Sequence, residues 1–473
     1  MLYDALTKII NGMTGGPTMT PKQVCVVGTG YVGSVTGAVL AELGHRVICV
    51  DSNPEKVRQF TNGPPFPLLE PGLDELIVRH RGRTLTFTAD LATAIAASEV
   101  IFVCVSTPTK LAGLARGSFD MTYVDLVARE IAKHARGHVV VVEKSTVPLR
   151  TAERITEILE SNMNGSGATF HVVSNPEFLA EGTAVRDALE PDRVLIGTKP
   201  GDDFARRVMD ELYAYYPREV TLHTNVWSSE LAKLANNAFL STKITQINAI
   251  ASLCDASSAD VTEVGRAVGM DKRIGNKFLG AGIGWGGSCF GKDVRALIYL
   301  LRNHHLEAEA HFYEAAHDLN YALRERFVMK MHQSLYSLRG KTVAVLGFAF
   351  KPDTDDVRDS PAIDIIRMLA EEGASVRVVD PAAGHKVKEF FPDGNAPAER
   401  IVVVKDALSA LTGADALCLC TEWKEFRHLD MREVAKRMNK PGWVFDGRNI
   451  YDPQAVVAAN LCHYGVGRGV RRP

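Results

Sequence analysis

The chain has 473 residues, 46% of them apolar and 23% charged, with a formal net charge of −2. That length suits about three domains of an ordinary globular enzyme, and the near-neutral balance excludes the basic footprint of a nucleic-acid binder. No apolar run reaches the roughly 18–20 residues a membrane helix needs. The eight cysteines lack a CxxC pair or framework spacing, and so read as reduced thiols of a cytoplasmic chain.

Residues 1–22 carry Asp4 and Lys8 followed by Gly, Thr and Pro. Without a charged start and a long apolar block they are expected to form an N-terminal extension, not a signal peptide. Gln23–Gly28 reads as a strand that runs into Gly28-Thr29-Gly30-Tyr31-Val32-Gly33. A helix over 34–43 and a second strand, Arg46–Val50, follow, and Asp51 stands 18 residues after Gly33. A glycine motif between strand and helix, with an acid at that distance, is the pattern of a dinucleotide site. The glycines admit a pyrophosphate to the helix N-terminus. Asp51 suits a ribose hydroxyl and opposes a 2′-phosphate, so NAD is expected as cofactor. Arg46 and Lys56 are near enough to keep NADP as the alternative.

Further strands are predicted at Val100–Val105, His138–Val142 and His171–Val173. They end in Ser106-Thr107-Pro108-Thr109, Glu143-Lys144-Ser145-Thr146 and Ser174-Asn175-Pro176-Glu177. Such polar strand ends line the crevice of an open α/β sheet. Thr146 and Glu177 are the groups chosen to hold a water or an alcohol proton. A helix from Ser228 to about Ala256 spans about 42 Å at 1.5 Å per residue. It carries Lys233 and Asn237 on one side, as a site pair or as a solvated one. Ala251–Gly269 and 304–338 also read as helical.

A second strand–glycine turn–helix–strand pattern begins at Thr342–Leu346 and Gly347-Phe348-Ala349-Phe350-Lys351-Pro352, and its second strand, Ser375–Val379, ends at Asp380. Strands at Ile401–Val404, Ala416–Cys420 and Trp443–Phe445 follow. The fold class is therefore α/β, with two Rossmann-like doubly wound domains joined by a long central helix and a helical domain. The boundaries are 1–22, 23–227, 228–338 and 339–473. The second copy lacks GxGxxG, so a second dinucleotide is not expected. Lys351 and Arg448 suit a phosphate or sugar hydroxyl, or are surface cations.

Five cysteines (Cys25, Cys49, Cys104, Cys418 and Cys420) sit in strand-like apolar runs. Cys254 lies in a helical pattern, and Cys462 is expected near a frayed C-terminus. Cys289 alone is delivered on a glycine-rich loop, Gly282 to Gly291, with Lys292 and Asp293 next. Glycines let a backbone approach a ligand, and a reactive thiol needs an electropositive, open setting.

These motifs together resemble the nucleotide-sugar 6-dehydrogenases. The matching segments are 27–33, 143–148, 174–183, 229–237, the Cys289 loop and 347–351, and the resemblance covers about residues 23–465. It implies oxidation of a sugar C6 alcohol to a carboxylate with two NAD⁺ and no metal. Cys289 resembles the thiol that traps the aldehyde as a thiohemiacetal and then a thioester. Lys233 matches an oxyanion- or proton-handling lysine, Asn237 a substrate-positioning amide, Asp293 and Thr146 a water-positioning pair, and Glu177 an acid/base. Phe178, Leu179, Ala180, Glu181, Arg273, Phe278, Gly286, Phe350, Lys351 and Arg448 resemble sugar-nucleotide contacts, as do Lys233 and Asn237. Beside the glycine motif, Asp51 and Lys56, the NAD contacts implied are Ser106, Thr107, Ser145, Glu181, Lys292 and Arg358. The position of Arg273 implies a homo-oligomer, a dimer or a hexamer built from dimers. Arg273–Leu279 and Thr421-Glu422-Trp423 favour UDP-glucose over GDP-mannose or UDP-N-acetylmannosamine as substrate. A two-electron hydroxyacid dehydrogenase is a further alternative, and a catalytically dead NAD-binding regulator is disfavoured because every candidate reacting residue is present. Gly280 stands where close relatives carry a lysine. Trp285 replaces a phenylalanine and is expected to crowd the base or ribose.

Overall fold

The computed structural model describes residues 20–473 apart from 65, 111, 164, 166, 395 and 396. Most of the expected N-terminal extension therefore lies outside the described residues. The chain divides into two compact units, the first of residues up to 108 with 119–233, the second of 109–118 with 234–473.

The first unit holds an eight-stranded sheet: β1 Gln23–Val27, β2 Arg46–Val50, β3 Leu85–Thr88, β4 Val100–Val103, β5 His138–Glu143, β6 Thr169–Ser174, β7 Val194–Thr198 and β8 Thr221–Asn225. Their spatial order is β3-β2-β1-β4-β5-β6-β7-β8. All neighbours run parallel except β6 and β7. Strands such as His-Val-Val-Val-Val-Glu in β5 are apolar without alternation because helices cover both faces. β1 and β4 accordingly send residues into a separate core on each side.

The second unit repeats the plan with β9 Thr342–Leu346, β10 Ser375–Val379, β11 Ile401–Val403, β12 Ala416–Leu419, β13 Trp443–Asp446, β14 Cys462–Gly465 and β15 Gly469–Arg471. The order is β11-β10-β9-β12-β13-β14-β15, with only β15 antiparallel. Each sheet thus holds the 3-2-1-4-5-6 core of a doubly wound dinucleotide fold.

Three expectations are corrected. Cys462 is not frayed: it lies buried in β14, paired with β13. Ala251–Gly269 is not one helix. The helix Val226–Ser257 stops where Ser258 takes a positive φ of 62°, and Asp260 caps a new helix, Val261–Gly269, by accepting from Thr262 N. The short strands β3, β7 and β8 are additions to the strands expected from the sequence. β3 and β8 hold Thr and His among few apolar residues, and tertiary pairing forms them against weak local preference, whereas β7, Val-Leu-Ile-Gly-Thr, is a short apolar run ended by Gly.

The helix Val226–Ser257 has 32 residues, and the division between the units falls within it, after Lys233.

Candidate active site

In the first unit, β1 turns at Gly28, whose φ is +98° and whose N–H donates to Val50 O at 2.7 Å. A Cβ on Gly33 would lie 1.8 Å from Gly28 O, whereas one on Gly30 would meet nothing within 4 Å. Gly30 thus opens outward where the helix Tyr31–Glu42 begins with unpaired N–H groups, a setting made for phosphate oxygens. Thr29 donates to Asp51 Oδ2 from its N–H at 3.0 Å and its hydroxyl at 2.7 Å. Lys56 Nζ lies 3.4 Å from the same oxygen. Burial pushes the Asp51 carboxyl up, but these donors and Asn53 N hold it below its ordinary range. The turn therefore fits NAD: a tight glycine bend, an open approach and an ionised acid at the end of β2. Val32 is half-buried beside it.

Other expected coenzyme residues serve the backbone. Thr107 Oγ1 donates to Thr146 O at 2.7 Å, and Ser145 Oγ donates to Val105 O at 2.7 Å. Ser106 is exposed, and Thr146 and Glu181 are half-buried.

Glu177, just beyond β6, meets Lys233 on the long helix with Oε1 2.7 Å from Nζ, and both side chains are nearly fully buried. Its Oε2 accepts from Leu179 N at 2.6 Å. Burial raises the Glu177 carboxyl, yet Lys233, Leu179 N and Lys144 hold it below the usual range. Phe178 is stacked under Arg193, whose guanidinium lies 3.7 Å from the ring centre. Ala180 is exposed, its N–H donating to Asp187 Oδ2 at 3.1 Å.

Lys144, part of the strand end Glu143–Thr146, is a site neighbour that no motif singles out. Its Nζ donates to Asn175 Oδ1 at 3.1 Å. Burial first, and Lys233 in addition, push it down to about 8, against the pull of Cys104 and Glu177. A lysine directly after an apolar strand was its available signal.

In the second unit Cys289 is the N-cap of the helix Phe290–Asn303. It is the one exposed cysteine; the other seven are buried. One turn on, Asp293 is almost fully buried and accepts from Asn237 Nδ2 at 2.5 Å. Lys292 Nζ stands 3.2 Å from Asp293 Oδ1 as an ion pair without hydrogen-bond geometry. The structure thus joins Glu177 with Lys233 in one unit and Asn237 with Asp293 and Lys292 in the other.

The glycine-rich loop is held from behind. Trp285 N donates to Asn320 Oδ1 at 2.8 Å, and Trp285 O accepts from Asn320 Nδ2 at 3.1 Å and Arg324 at 3.0 Å. The indole is buried against Phe290, His317 and Tyr321, with Nε1 donating to Thr245 Oγ1 at 3.1 Å. The expected crowding of a base by Trp285 is corrected accordingly, because the ring fills the helical packing. A Cβ on Gly286 would lie 2.5 Å from Asp359 O, and one on Gly287 would lie 2.7 Å from the Phe350 ring.

Arg448 is no plain surface cation. Its guanidinium donates to the carbonyls of Cys420 at 2.7 Å, Gly284 at 3.1 Å and Phe350 at 3.4 Å, tying three loops together. Lys351 is half-buried beside Phe350. Arg273 and Arg358 are exposed, each paired two residues back, with Asp271 at 2.6 Å and Asp356 at 2.7 Å. Phe278 has φ 63° and is partly exposed. A Cβ on Gly280 would meet nothing within 4 Å. Among the described residues no group of three or more His, Cys, Asp or Glu could hold a metal ion, and no helix is long and apolar enough to cross a membrane.

Three family models cover most of the chain: the UDP-glucose/GDP-mannose dehydrogenase NAD binding domain over 22–216, its central domain over 227–322 and its UDP binding domain over 344–453. The chain belongs to the UDP-glucose/GDP-mannose dehydrogenase family. It is an NAD-dependent dehydrogenase with a nucleotide-sugar binding domain. It is 41% identical over 468 residues to UDP-glucose 6-dehydrogenase 5 of Oryza sativa subsp. japonica, covering 94% of this chain and 97% of that protein. With UDP-glucose 6-dehydrogenase of Mus musculus the identity is 43% over 444 residues, covering 91% and 90%. A UDP-glucose dehydrogenase structure from the hyperthermophilic archaeon Pyrobaculum islandicum superimposes with TM-score 0.84 at 34% identity, covering 96% and 99%.

Proposed function

We propose that the chain oxidises the C6 alcohol of UDP-glucose to UDP-glucuronate through a Cys289 thioester. The observation that carries the thioester is the placement of the one exposed thiol at a helix N-terminus, one turn before the buried Asp293–Asn237 pair. Similarity to UDP-glucose 6-dehydrogenases at 41–43% identity over most of the chain supports the substrate.

Gly28, Gly30, Gly33, the first turn of the following helix and Asp51 hold the coenzyme. NAD⁺, when bound, accepts a hydride at each of two oxidations. Cys289 adds its sulfur to C6 of the aldehyde, forming a C–S bond and a thiohemiacetal, so the half-oxidised sugar stays in place. Oxidation of that adduct leaves a thioester. Water then attacks C6, the C–S bond breaks, and the carboxylate leaves with the thiol restored. Lys233 offsets negative charge on the C6 oxygen. Glu177, ionised beside it, takes a proton from the attacking water, which Thr146 and Asp293 orient. Asn237 positions the sugar, and Phe178–Glu181, Arg273, Phe278, Gly286, Phe350, Lys351 and Arg448 hold the nucleotide sugar. Ser106, Thr107, Ser145, Glu181, Lys292 and Arg358 complete the coenzyme contacts.

The working division is an extension over 1–22, a coenzyme domain over 23–227, a helical domain over 228–338 and a nucleotide-sugar domain over 339–473, in a cytoplasmic homo-oligomer. Exposed Phe239, Ile250 and Leu253 on one side of the long helix support a subunit contact. The test is Cys289→Ser with UDP-glucose: net four-electron turnover is expected to vanish, and near-wild-type formation of UDP-glucuronate would reject the reading. GDP-mannose turned over as fast as UDP-glucose would overturn the choice of sugar.

A further inference from the structure

The segment 177–184 in the first unit is strung between three acids. Glu177 accepts from Leu179 N at 2.6 Å, and Asp187 accepts from Ala180 N at 3.1 Å and Thr183 Oγ1 at 2.8 Å. The third is Glu70, only 4% exposed, from the loop before the helix Leu73–His80. Its Oε2 accepts from Gly182 N at 2.6 Å and its Oε1 from Ala184 N at 2.7 Å. Tyr31, the residue after Gly30, donates its hydroxyl to the same Oε2 and accepts from Gly182 N at 2.9 Å. One buried carboxylate therefore receives donors from the first residue of the coenzyme helix and from the segment that carries Phe178–Glu181. Gly182 has φ +80°, so its N–H faces this acid in a backbone shape that glycine adopts without strain.

We propose that Glu70 is a positioning residue that couples the coenzyme turn to segment 178–184, so that coenzyme at Gly30–Tyr31 orders the segment that receives the sugar. The inference rests on the functional reading above for what each end binds. Hydrogen bonds to a buried carboxylate are the strong kind, and a hinge with such a shared acceptor has few ways to move one end alone. Glu70→Gln removes one acceptor and brings an NH₂ against the N–H of Gly182 or of Ala184. Tyr31→Phe leaves Glu70 on Gly182 and Ala184 but cuts its tie to the helix.

The test is amide hydrogen exchange of peptides covering 178–186 in the full chain, with and without saturating NADH, beside steady-state kinetics. NADH is expected to slow exchange there in the unaltered chain. Tyr31→Phe should keep the coenzyme-free protection and lose the NADH-dependent increment. Glu70→Gln should speed exchange about tenfold without coenzyme and raise the KM for UDP-glucose more than it lowers kcat. A variant pair that keeps the full NADH increment, or an unaltered chain with no increment, overturns the proposal. An increment in a chain that oxidises no nucleotide sugar would uphold the coupling and sink the functional reading instead.

Discussion

The two glycine turns of this chain begin alike and diverge within three residues. Gly28 and Gly347 have φ of +98° and +101°, and each donates to the last carbonyl of the neighbouring strand, at 2.7 and 2.8 Å. Each turn then closes on the acid after that strand, Asp51 or Asp380. In the first turn Gly30 opens directly into a helix. In the second, Phe348 is fully buried and the next helix, Pro361–Glu371, starts thirteen residues later. Asp380 is consumed by Phe348 N, Ala349 N, Trp423 Nε1, Ala382 N and Ala383 N. The same topology therefore leaves an open turn at a helix N-terminus in the unit that matches the NAD binding domain, and a packed corner where an aromatic fills the turn.

The largest effect is expected from Gly33→Val, whose Cβ would lie 1.8 Å from Gly28 O. NADH titration should show no binding and the Tm should fall, while Gly30→Ala, with open space around its Cβ, should keep the Tm and weaken NADH only. Equal effects of the two would erase the distinction between a packed and an open glycine. Next, Asp380→Asn should cost about 4 kcal/mol of stability through lost bonds to a charged acceptor. Asp51→Asn should cost less and should instead narrow the preference for NAD over NADP; denaturant melts with both coenzymes read this.

The fifth strands extend the parallel, since β5 ends in Glu143 and β13 in Asp446, both buried acids pushed up by burial. Asp446 is raised to about 6. The folded state therefore holds a proton that the unfolded chain releases near pH 4, and stability should fall as pH rises from about 4 to about 6, by at most about 3 kcal/mol. Asp446→Asn should flatten that part of the Tm profile; an unchanged slope would show that another group sets it. In the first unit Lys144, pushed down to about 8, should give kcat/KM an alkaline limb near that pH. Lys144→Met should remove the limb with a few-fold loss of rate. The smallest effect is Gly280→Lys, which has room for its side chain and should lower the KM for UDP-glucose about twofold to fivefold; a raised KM would count against a phosphate nearby.

Much of this was legible in the residues. GxGxxG between apolar runs with Asp51 after the second run dictated the first turn, and the different residues after Gly347 signalled that the second turn would be built otherwise. Cys289 stood apart because glycines surround it, and its exposure agrees. What could not be read were features made by distant partners. β3 and β8 form by pairing, Cys462 is held in β14 by pairing with Trp443 of β13, and Trp285 turns inward because Thr245 and Tyr321 meet it. Glu70 carried no motif at all; only the fold brings it to Tyr31 and Gly182.

The most direct test counts NADH released for each UDP-glucose consumed, in a reaction run to completion with excess NAD⁺. A sulfur that retains the aldehyde between oxidations predicts two NADH per sugar with no free aldehyde trapped by hydroxylamine. One NADH per sugar, or an aldehyde captured in solution, would contradict it.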